Sequence, residues 1–192
     1  MRDVLHLVAP ADDRAVVVVA RATTAALIDP APITRSARLA FEQELARRQA
    51  GPEVAALRAE LQASGLRERD PDAYRQRAFE ISVAGYFADP ARARDLTPFR
   101  VTGRVQQSIW QSLGDYDLRD SLGSVHVPIF VVHGRQDPIP LASSEEAARA
   151  LGTTCVVIEG SGHVPYVEQP AQLFPLLRAF LHDTGPPHSA VT

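Results

Sequence analysis

Strand–helix alternation in the last third of the chain is the feature that most restricts its fold. Residues 127–132, Val-Pro-Ile-Phe-Val-Val, form an almost continuous apolar run, and residues 154–158, Thr-Cys-Val-Val-Ile, form a second one. A helical pattern follows each run, through Leu151 and over 170–182. Continuous apolar strands are typical of a parallel sheet covered on both faces, and strand–helix–strand units pair their strands in parallel. The pattern predicts an α/β fold with a short, mostly parallel sheet and flanking helices.

The chain divides into four segments by pattern. Residues 1–32 carry two apolar runs, at 15–19 and 25–28, which we expect to be short buried strands, with Val16–Val19 in an inner position. Residues 33–124 read as mostly helical, with start signals such as Asp70-Pro71. Residues 125–183 hold the strand–helix alternation, where Ser143 and Glu146 predict a capping box. Residues 184–192 are expected to form a loose tail.

Composition and charge exclude several functional classes. The 192 residues carry a formal net charge of -3, which argues against nucleic acid as a partner because phosphate contacts need a basic face. No apolar stretch is long enough to span a membrane, and the run before Arg21 lacks the basic start of a secretory signal. Cys155 is the only cysteine, so an intramolecular disulfide and a cysteine-based zinc site are excluded, and we interpret it as a small buried hydrophobic residue. The expected location is the cytoplasm.

Two polar residues follow the predicted strands where parallel sheets place functional groups. Asp137 lies in His-Gly-Arg-Gln-Asp-Pro after the first strand, and His163 lies in Gly-Ser-Gly-His after the second. Loops that leave the same end of adjacent strands, about 4.8 Å apart, bring such side chains into contact. A carboxylate bonded to one imidazole nitrogen leaves the other nitrogen free as a general base. Asp137 and His163 are therefore the predicted catalytic pair, although Asp137 as a turn cap beside Pro138 remains an alternative.

These two loop motifs resemble the C-terminal part of an α/β-hydrolase. The stretches 127–140 and 160–170 look most like the proline iminopeptidase-like branch of that superfamily, and the resemblance covers roughly residues 25–182. It implies a partial α/β-hydrolase fold in which residues 33–124 are the inserted helical lid. It also implies that Asp137 and His163 are the acid and the base of a serine aminopeptidase acting on small peptides or amides. No metal or organic cofactor is implied.

The nucleophile of that family has no counterpart in the sequence. The triad runs in the order Ser, Asp or Glu, His, with the serine in a Gly-x-Ser-x-Gly elbow, and no serine here has glycine both two positions before it and two positions after it. The sequence therefore predicts a truncated chain, whether from a split enzyme or from an artefact of the gene model, with an exposed sheet edge that favours self-association. The alternative is a non-catalytic remnant that binds a small apolar ligand or a partner chain.

Other candidate site residues have weaker support. Ser161 lies in the same tight loop as His163, so it is poorly placed as a nucleophile. His133 reads as a strand-end residue that has a smaller chance of contacting the site. The remaining histidines show no metal-ligand spacing, and no metal site is predicted. The aromatic residues of the insertion are expected to form its core rather than a substrate wall: Tyr74, Phe79, Tyr86, Phe87 and Trp110. The resemblance to proline iminopeptidase-like enzymes implies that carboxylates of the insertion hold a substrate amino group. Nothing in the spacing selects one, solvated helix faces explain them equally well, and none is predicted as a site: Glu42, Glu44, Glu53, Glu60 and Glu80.

Overall fold

A parallel sheet of three strands forms the centre of the fold. The structure is a computed structural model that describes residues 24–96 and 112–184, together with the backbone of two short strands, β1 (Leu5–His6) and β2 (Val19–Ala20). The sheet has the order β3 (Ala25–Ile28), β4 (Ile129–Gly134), β5 (Cys155–Ile158), and both pairs are parallel. This arrangement confirms the α/β fold that the strand–helix alternation predicts.

The helices occupy two regions of the chain. The insertion contains α1 (Arg35–Gln49), α2 (Pro52–Ala63), α3 (Leu66–Arg69) and α4 (Pro71–Ser82), followed by two 3-10 helices (Ala84–Tyr86 and Pro90–Asp95). The C-terminal part contains α5 (Arg119–Leu122), α6 (Leu141–Ala150), α7 (Pro165–Glu168) and α8 (Pro170–Thr184). None of the helices that the structure describes combines the length and the apolarity needed to cross a lipid bilayer.

The insertion enters and leaves the sheet region at neighbouring positions. Thr34 and Asp117 form an antiparallel bridge, and Leu118 donates a backbone hydrogen bond to the Ile33 carbonyl at 2.9 Å. The predicted start signals also act as expected, since the Asp70 carboxylate accepts a hydrogen bond from the Ala73 N–H at 3.0 Å where α4 begins. The spacing of Val105, Ile109 and Leu113 also predicts a helix, and most of that segment lies outside the described residues.

Apolar residues of the insertion and of the sheet form separate clusters. Val54, Ile81 and Phe87 are buried together in the insertion, where Val164 joins them from the segment after β5. In the sheet region, Val131 packs with Ile129 and Ala148 on one side, and Val132 packs with Ile158 and Leu173 on the other. Val164 therefore connects the insertion to the segment that carries His163.

Three local expectations are wrong. Val19, the described residue of the expected strand Val16–Val19, pairs antiparallel with His6 in a separate sheet instead of joining the parallel strands, and residues 16–18 lie outside the described residues. The strand Ala25–Ile28 is half-buried, with Ala26 exposed, because it pairs with β4 alone among the described residues. The capping box at Ser143 does not form, because Pro140 is the N-cap and α6 therefore starts three residues earlier than expected. Ser143 is instead buried, and its hydroxyl accepts a hydrogen bond from the Ile33 N–H at 3.3 Å.

Candidate active site

Asp137 is fixed in the turn that follows β4. Its backbone N–H donates to the Gly134 carbonyl at 3.0 Å, and its Oδ1 accepts a hydrogen bond from the Ile139 N–H at 2.8 Å. The side chain is completely buried. Asp137 therefore does cap its own turn, and this cap leaves its second oxygen available for another partner.

His163 is that partner. Its Nδ1 lies 2.8 Å from Asp137 Oδ2, while its backbone N–H donates to the Tyr86 carbonyl at 2.8 Å. Because a carboxylate only accepts hydrogen bonds, the hydrogen of the neutral ring is assigned to Nδ1 and the lone pair to Nε2. No described residue is hydrogen-bonded to Nε2, and the side chain is 31% exposed. The ring therefore presents a basic nitrogen away from the carboxylate.

The register of the sheet explains why two residues 26 positions apart meet. Gly134, at the end of β4, lies opposite Ile158 at the end of β5. Both strands run in the same direction, so their following loops leave from the same edge. The Arg135 N–H donates to the Ile158 carbonyl at 2.9 Å and the Gln136 N–H donates to the Ser161 carbonyl at 2.8 Å, which joins the two loops directly.

Two glycines allow the loops and the insertion to approach each other closely. A Cβ on Gly134 would lie 2.1 Å from the Gly162 carbonyl oxygen, and a Cβ on Gly162 would lie 2.2 Å from the Tyr86 carbonyl oxygen. Neither distance accommodates a side chain. The Tyr86 ring in turn faces the His163 ring with a centroid distance of 5.3 Å. Tyr86 thus contacts the site, whereas Phe87 is buried in the core of the insertion, as predicted.

Glu168 holds the His163 loop against the insertion. Its carboxylate is buried and accepts hydrogen bonds from the Gly162 N–H at 2.6 Å and from the Ala88 N–H at 2.8 Å. Arg92 reinforces this contact by donating to the Glu168 carbonyl at 2.8 Å. Burial raises the pKa of Glu168, and the backbone N–H donors and the Arg92 charge oppose that rise.

Arg48 makes a second link from the insertion to the site. It lies on α1 and donates to the main-chain carbonyl of Gln136 and, at 3.4 Å, to that of Asp137. Glu44 orients it through a 2.7 Å ion pair, and hydrogen bonds from Arg47 and Arg48 lower the pKa of Glu44 to about 2. Glu44 therefore acts here as a partner of arginines.

A buried polar group lies behind Asp137. Asp29, directly after β3, accepts a hydrogen bond from the Gly134 N–H at 2.7 Å. His133 is fully buried, and its Nδ1 lies 2.9 Å from Ser144 Oγ. Potential ligand atoms of Asp29, His133 and Asp137 lie within 4.8 Å of one another, the arrangement closest to a metal site among the described residues. Hydrogen bonds to protein atoms already occupy both nitrogens of His133 and both oxygens of Asp137.

No nucleophile is hydrogen-bonded to His163 within the described residues. Ser161 is fully buried and donates to the Gly162 carbonyl at 3.1 Å, which agrees with its poor expected placement. Ser144 is also buried and bonded to His133. Cys155 is half-buried rather than fully buried, and burial raises the pKa of its thiol to about 11, so the thiol stays protonated at neutral pH. Trp110 lies outside the described residues.

Sequence reasoning missed three residues that build the site. Two of them could have been found from the sequence. Glu168 is an acid in the apolar segment that begins a helix, and Asp29 is an acid directly after a strand, and both positions favour a buried or functional side chain. Arg48 carried no such signal, since it is one of many arginines on helix surfaces. The structure brings Asp137 and His163 together, and it places Glu168 and Arg48 around their loops.

Comparison with known proteins identifies the family. The sequence model of the Alpha/beta hydrolase family matches residues 4–176, which is most of the chain. No curated protein matches it significantly.

Solved structures with similar folds are longer than this chain. They include a proline iminopeptidase of Mycobacterium smegmatis (19% identity, TM-score 0.49, covering 84% of this chain and 57% of that one). A thermophilic esterase of Thermogutta terrifontis has 20% identity, a TM-score of 0.46 and coverage of 86% and 58%. An enol-lactonase of Burkholderia xenovorans LB400 has 18% identity, a TM-score of 0.46 and coverage of 84% and 57%. The chain spans less than two thirds of the length of each. From the match of the family model over residues 4–176, and with a parallel sheet that fits the fold, the chain belongs to the α/β-hydrolase family.

Proposed function

We propose that the chain provides the acid and base of a serine hydrolase, with Asp137 orienting His163 and His163 moving the proton. The observation that supports this role is the 2.8 Å hydrogen bond from His163 Nδ1 to the fully buried carboxylate of Asp137. That bond fixes the ring and stabilises the imidazolium that forms when Nε2 takes a proton from a nucleophile. Nε2 then delivers this proton to the leaving group.

The proposed substrates are small peptides or amides, as in a proline iminopeptidase-like aminopeptidase. The loop motifs that carry Asp137 and His163 support this assignment, and a proline iminopeptidase is among the similar folds. In our proposal, the serine nucleophile and its oxyanion hole come from a nucleophile-bearing polypeptide segment outside the described residues. With Asp137 and His163 they would complete a catalytic site in which the serine attacks the substrate carbonyl carbon and the oxyanion hole stabilises the negative charge that forms on its oxygen.

The base is testable in the chain alone with an activated ester. An unprotonated imidazole attacks p-nitrophenyl acetate directly, because histidine is itself a competent nucleophile toward such esters. We expect His163→Gln to remove most of the p-nitrophenol release and Asp137→Asn to reduce it. His126→Gln is the matched control, since His126 is exposed and has no carboxylate partner in the described structure. Equal losses in His163→Gln and His126→Gln would contradict the assignment of the base.

The hydrolase itself is tested with a fluorophosphonate probe and a proline anilide. We expect the purified chain neither to be labelled nor to cleave the anilide. We expect both activities in a complex with a nucleophile-bearing chain, and their loss in the same complex carrying His163→Ala. Labelling of the purified chain would show that it contains a nucleophile of its own. Activity of the complex that survives His163→Ala would refute the proposal.

Pairing with another chain is a second candidate function, and one feature of the sheet favours it. Within the described residues β3 pairs only with β4, and Ala26 in this strand is exposed. A free strand edge offers backbone donors and acceptors to another strand. We expect the purified chain to self-associate, as measured by light scattering coupled to size-exclusion chromatography. A monomer that unfolds cooperatively would contradict this candidate.

A further inference from the structure

One carboxylate oxygen of Asp29 is buried without a hydrogen-bond donor among the described residues. The side chain is 1% exposed, and Oδ1 accepts the Gly134 N–H at 2.7 Å. Oδ2 is buried and has no hydrogen-bond partner among the described residues. A buried carboxylate oxygen without a donor is costly, and such atoms are rare in folded proteins. Protonation of Asp29 would remove this cost, because the oxygen would then be an uncharged hydrogen-bond donor.

A second carboxylate lies close to Asp29. Carboxylate oxygens of Asp29 and Asp137 lie within 4.8 Å of each other, and both side chains are almost completely buried. Asp137 Oδ2 accepts the hydrogen of His163 Nδ1, the role that a carboxylate has in such a pair. When two carboxylates lie this near to each other in a site shielded from water, the ionisation of one opposes the ionisation of the other. One of them therefore keeps its proton.

His133, which lies beside Asp29, does not supply a positive charge to the pair. His133 Nε2 lies 3.1 Å from the Ile139 carbonyl, which only accepts, so Nε2 carries the hydrogen. His133 Nδ1 therefore accepts from Ser144 Oγ and donates nothing to Asp29, although it lies 3.6 Å from Oδ1. Burial lowers the pKa of His133, which keeps the ring neutral.

We propose that Asp29 is a positioning residue that keeps its proton at neutral pH and donates a hydrogen bond to the Asp137 carboxylate. The Asp137–His163 pair becomes a chain of three groups, carboxylic acid, carboxylate and imidazole. The donor from Asp29 holds the carboxylate of Asp137 from behind while Oδ2 faces His163. The benefit to catalysis rests on the proposed function, whereas the protonation of Asp29 does not.

The backbone and the surrounding charges agree with this assignment. Asp29 has φ +46, a left-handed conformation that aspartate tolerates better than most residues. Burial raises the pKa of Asp29 to about 8, the Gly134 N–H opposes that rise, and the charge of Asp137 adds to it. The other ionisable groups that interact with Asp29 supply no positive charge at neutral pH: Glu168, His133, Cys155 and Tyr166.

Infrared spectroscopy of the whole chain tests the protonation directly. A protonated carboxylic acid has a carbonyl stretch that is separate from the carboxylate bands. We expect such a band at pH 7, its loss as the pH rises through about 8, and its absence from Asp29→Asn. Glu168→Gln is the control for the other buried carboxyl group, and the band should survive it. A wild-type spectrum without the band at pH 7, or a band that persists in Asp29→Asn, would overturn the proposal.

Proton NMR tests the positioning role. The hydrogen on His163 Nδ1 should give a low-field resonance because it is bonded to a carboxylate, and Asp137→Asn assigns it by removing it. We expect the resonance to persist in Asp29→Asn, whose amide still donates, and to be lost in Asp29→Gly, which fits φ +46 but has no donor. An unchanged resonance in a folded Asp29→Gly chain would show that Asp29 does not position Asp137. If Asp29→Gly does not fold, the infrared result with Asp29→Asn decides the proposal. Neither readout requires hydrolysis, so a failed hydrolase assay leaves both interpretable.

Discussion

Replacing Glu168 by glutamine should weaken the contact between the insertion and the His163 loop. The carboxylate accepts the Gly162 N–H at 2.6 Å and the Ala88 N–H at 2.8 Å, one from each segment. Glutamine has the same shape but only one accepting oxygen, so its NH2 group must face one of these two donors. One backbone N–H is then buried without a partner, and the other loses a charge-assisted bond.

The expected cost follows from these two changes. An unsatisfied buried donor costs roughly 1–3 kcal/mol, and a neutral bond is worth about 1 kcal/mol less than a charged one. The variant gains something in return, because burial raises the pKa of Glu168 and therefore opposes its ionised form in the folded state. We expect a net loss of about 2–3 kcal/mol in the free energy of unfolding. For a chain of this size that lowers the Tm by roughly 5–10 °C.

Two measurements check this expectation. Urea denaturation gives the free energy of unfolding, and hydrogen exchange reports the protection of the Ala88 and Gly162 amides. The matched control is Glu159→Gln, because Glu159 lies after the same strand but its ion pair with Arg135 is exposed. We expect that control to stay within about 0.5 kcal/mol of the wild type. If Glu168→Gln is equally stable and both amides keep their protection, Glu168 does not join the two segments.

Three further predictions concern the same region. The folded-state pKa of Asp29, about 8, lies above its ordinary 3.8, so between these pH values the folded chain holds one proton more than the unfolded chain and loses stability as the pH rises. In urea melts, the free energy of unfolding should therefore fall with pH about 1.4 kcal/mol per pH unit more steeply than in Asp29→Asn. Equal pH dependence in the two proteins would contradict this prediction. Gly162→Ala should destabilise the chain by about 3 kcal/mol or more, because the added methyl group overpacks the site. Gly123→Ala should change the melting temperature little, because a Cβ at Gly123 would make only ordinary van der Waals contacts. Similar melting curves for the two variants would refute the close approach at Gly162. Arg48→Ala should lower the free energy of unfolding by about 1–2 kcal/mol in urea melts, because it removes the hydrogen bonds to the carbonyls of the turn after β4. Arg47→Ala should leave stability unchanged, because Arg47 bonds to Glu44 and not to that turn. Equal effects of the two substitutions would count against this link.

Local sequence patterns predicted the elements that depend on short-range chemistry. Asp70 before Pro71 begins α4 because a carboxylate and a preset φ act within one turn of chain. Where two local signals competed, the sequence did not decide between them. Ser143 resembles a helix cap, but the turn at Pro140 begins α6 earlier, and Ser143 is used in a contact with Ile33.

The sequence by itself determined the α/β fold and the positions of Asp137 and His163, because strand ends and their apolar runs are local features and parallel pairing places those ends together. Only the tertiary structure decided which groups surround that pair. Glu168 and Asp29 meet residues far away in the chain, over separations of 80 and 105 positions. Their states depend on burial and on neighbouring charges, and neither quantity exists until the insertion and the sheet have packed together.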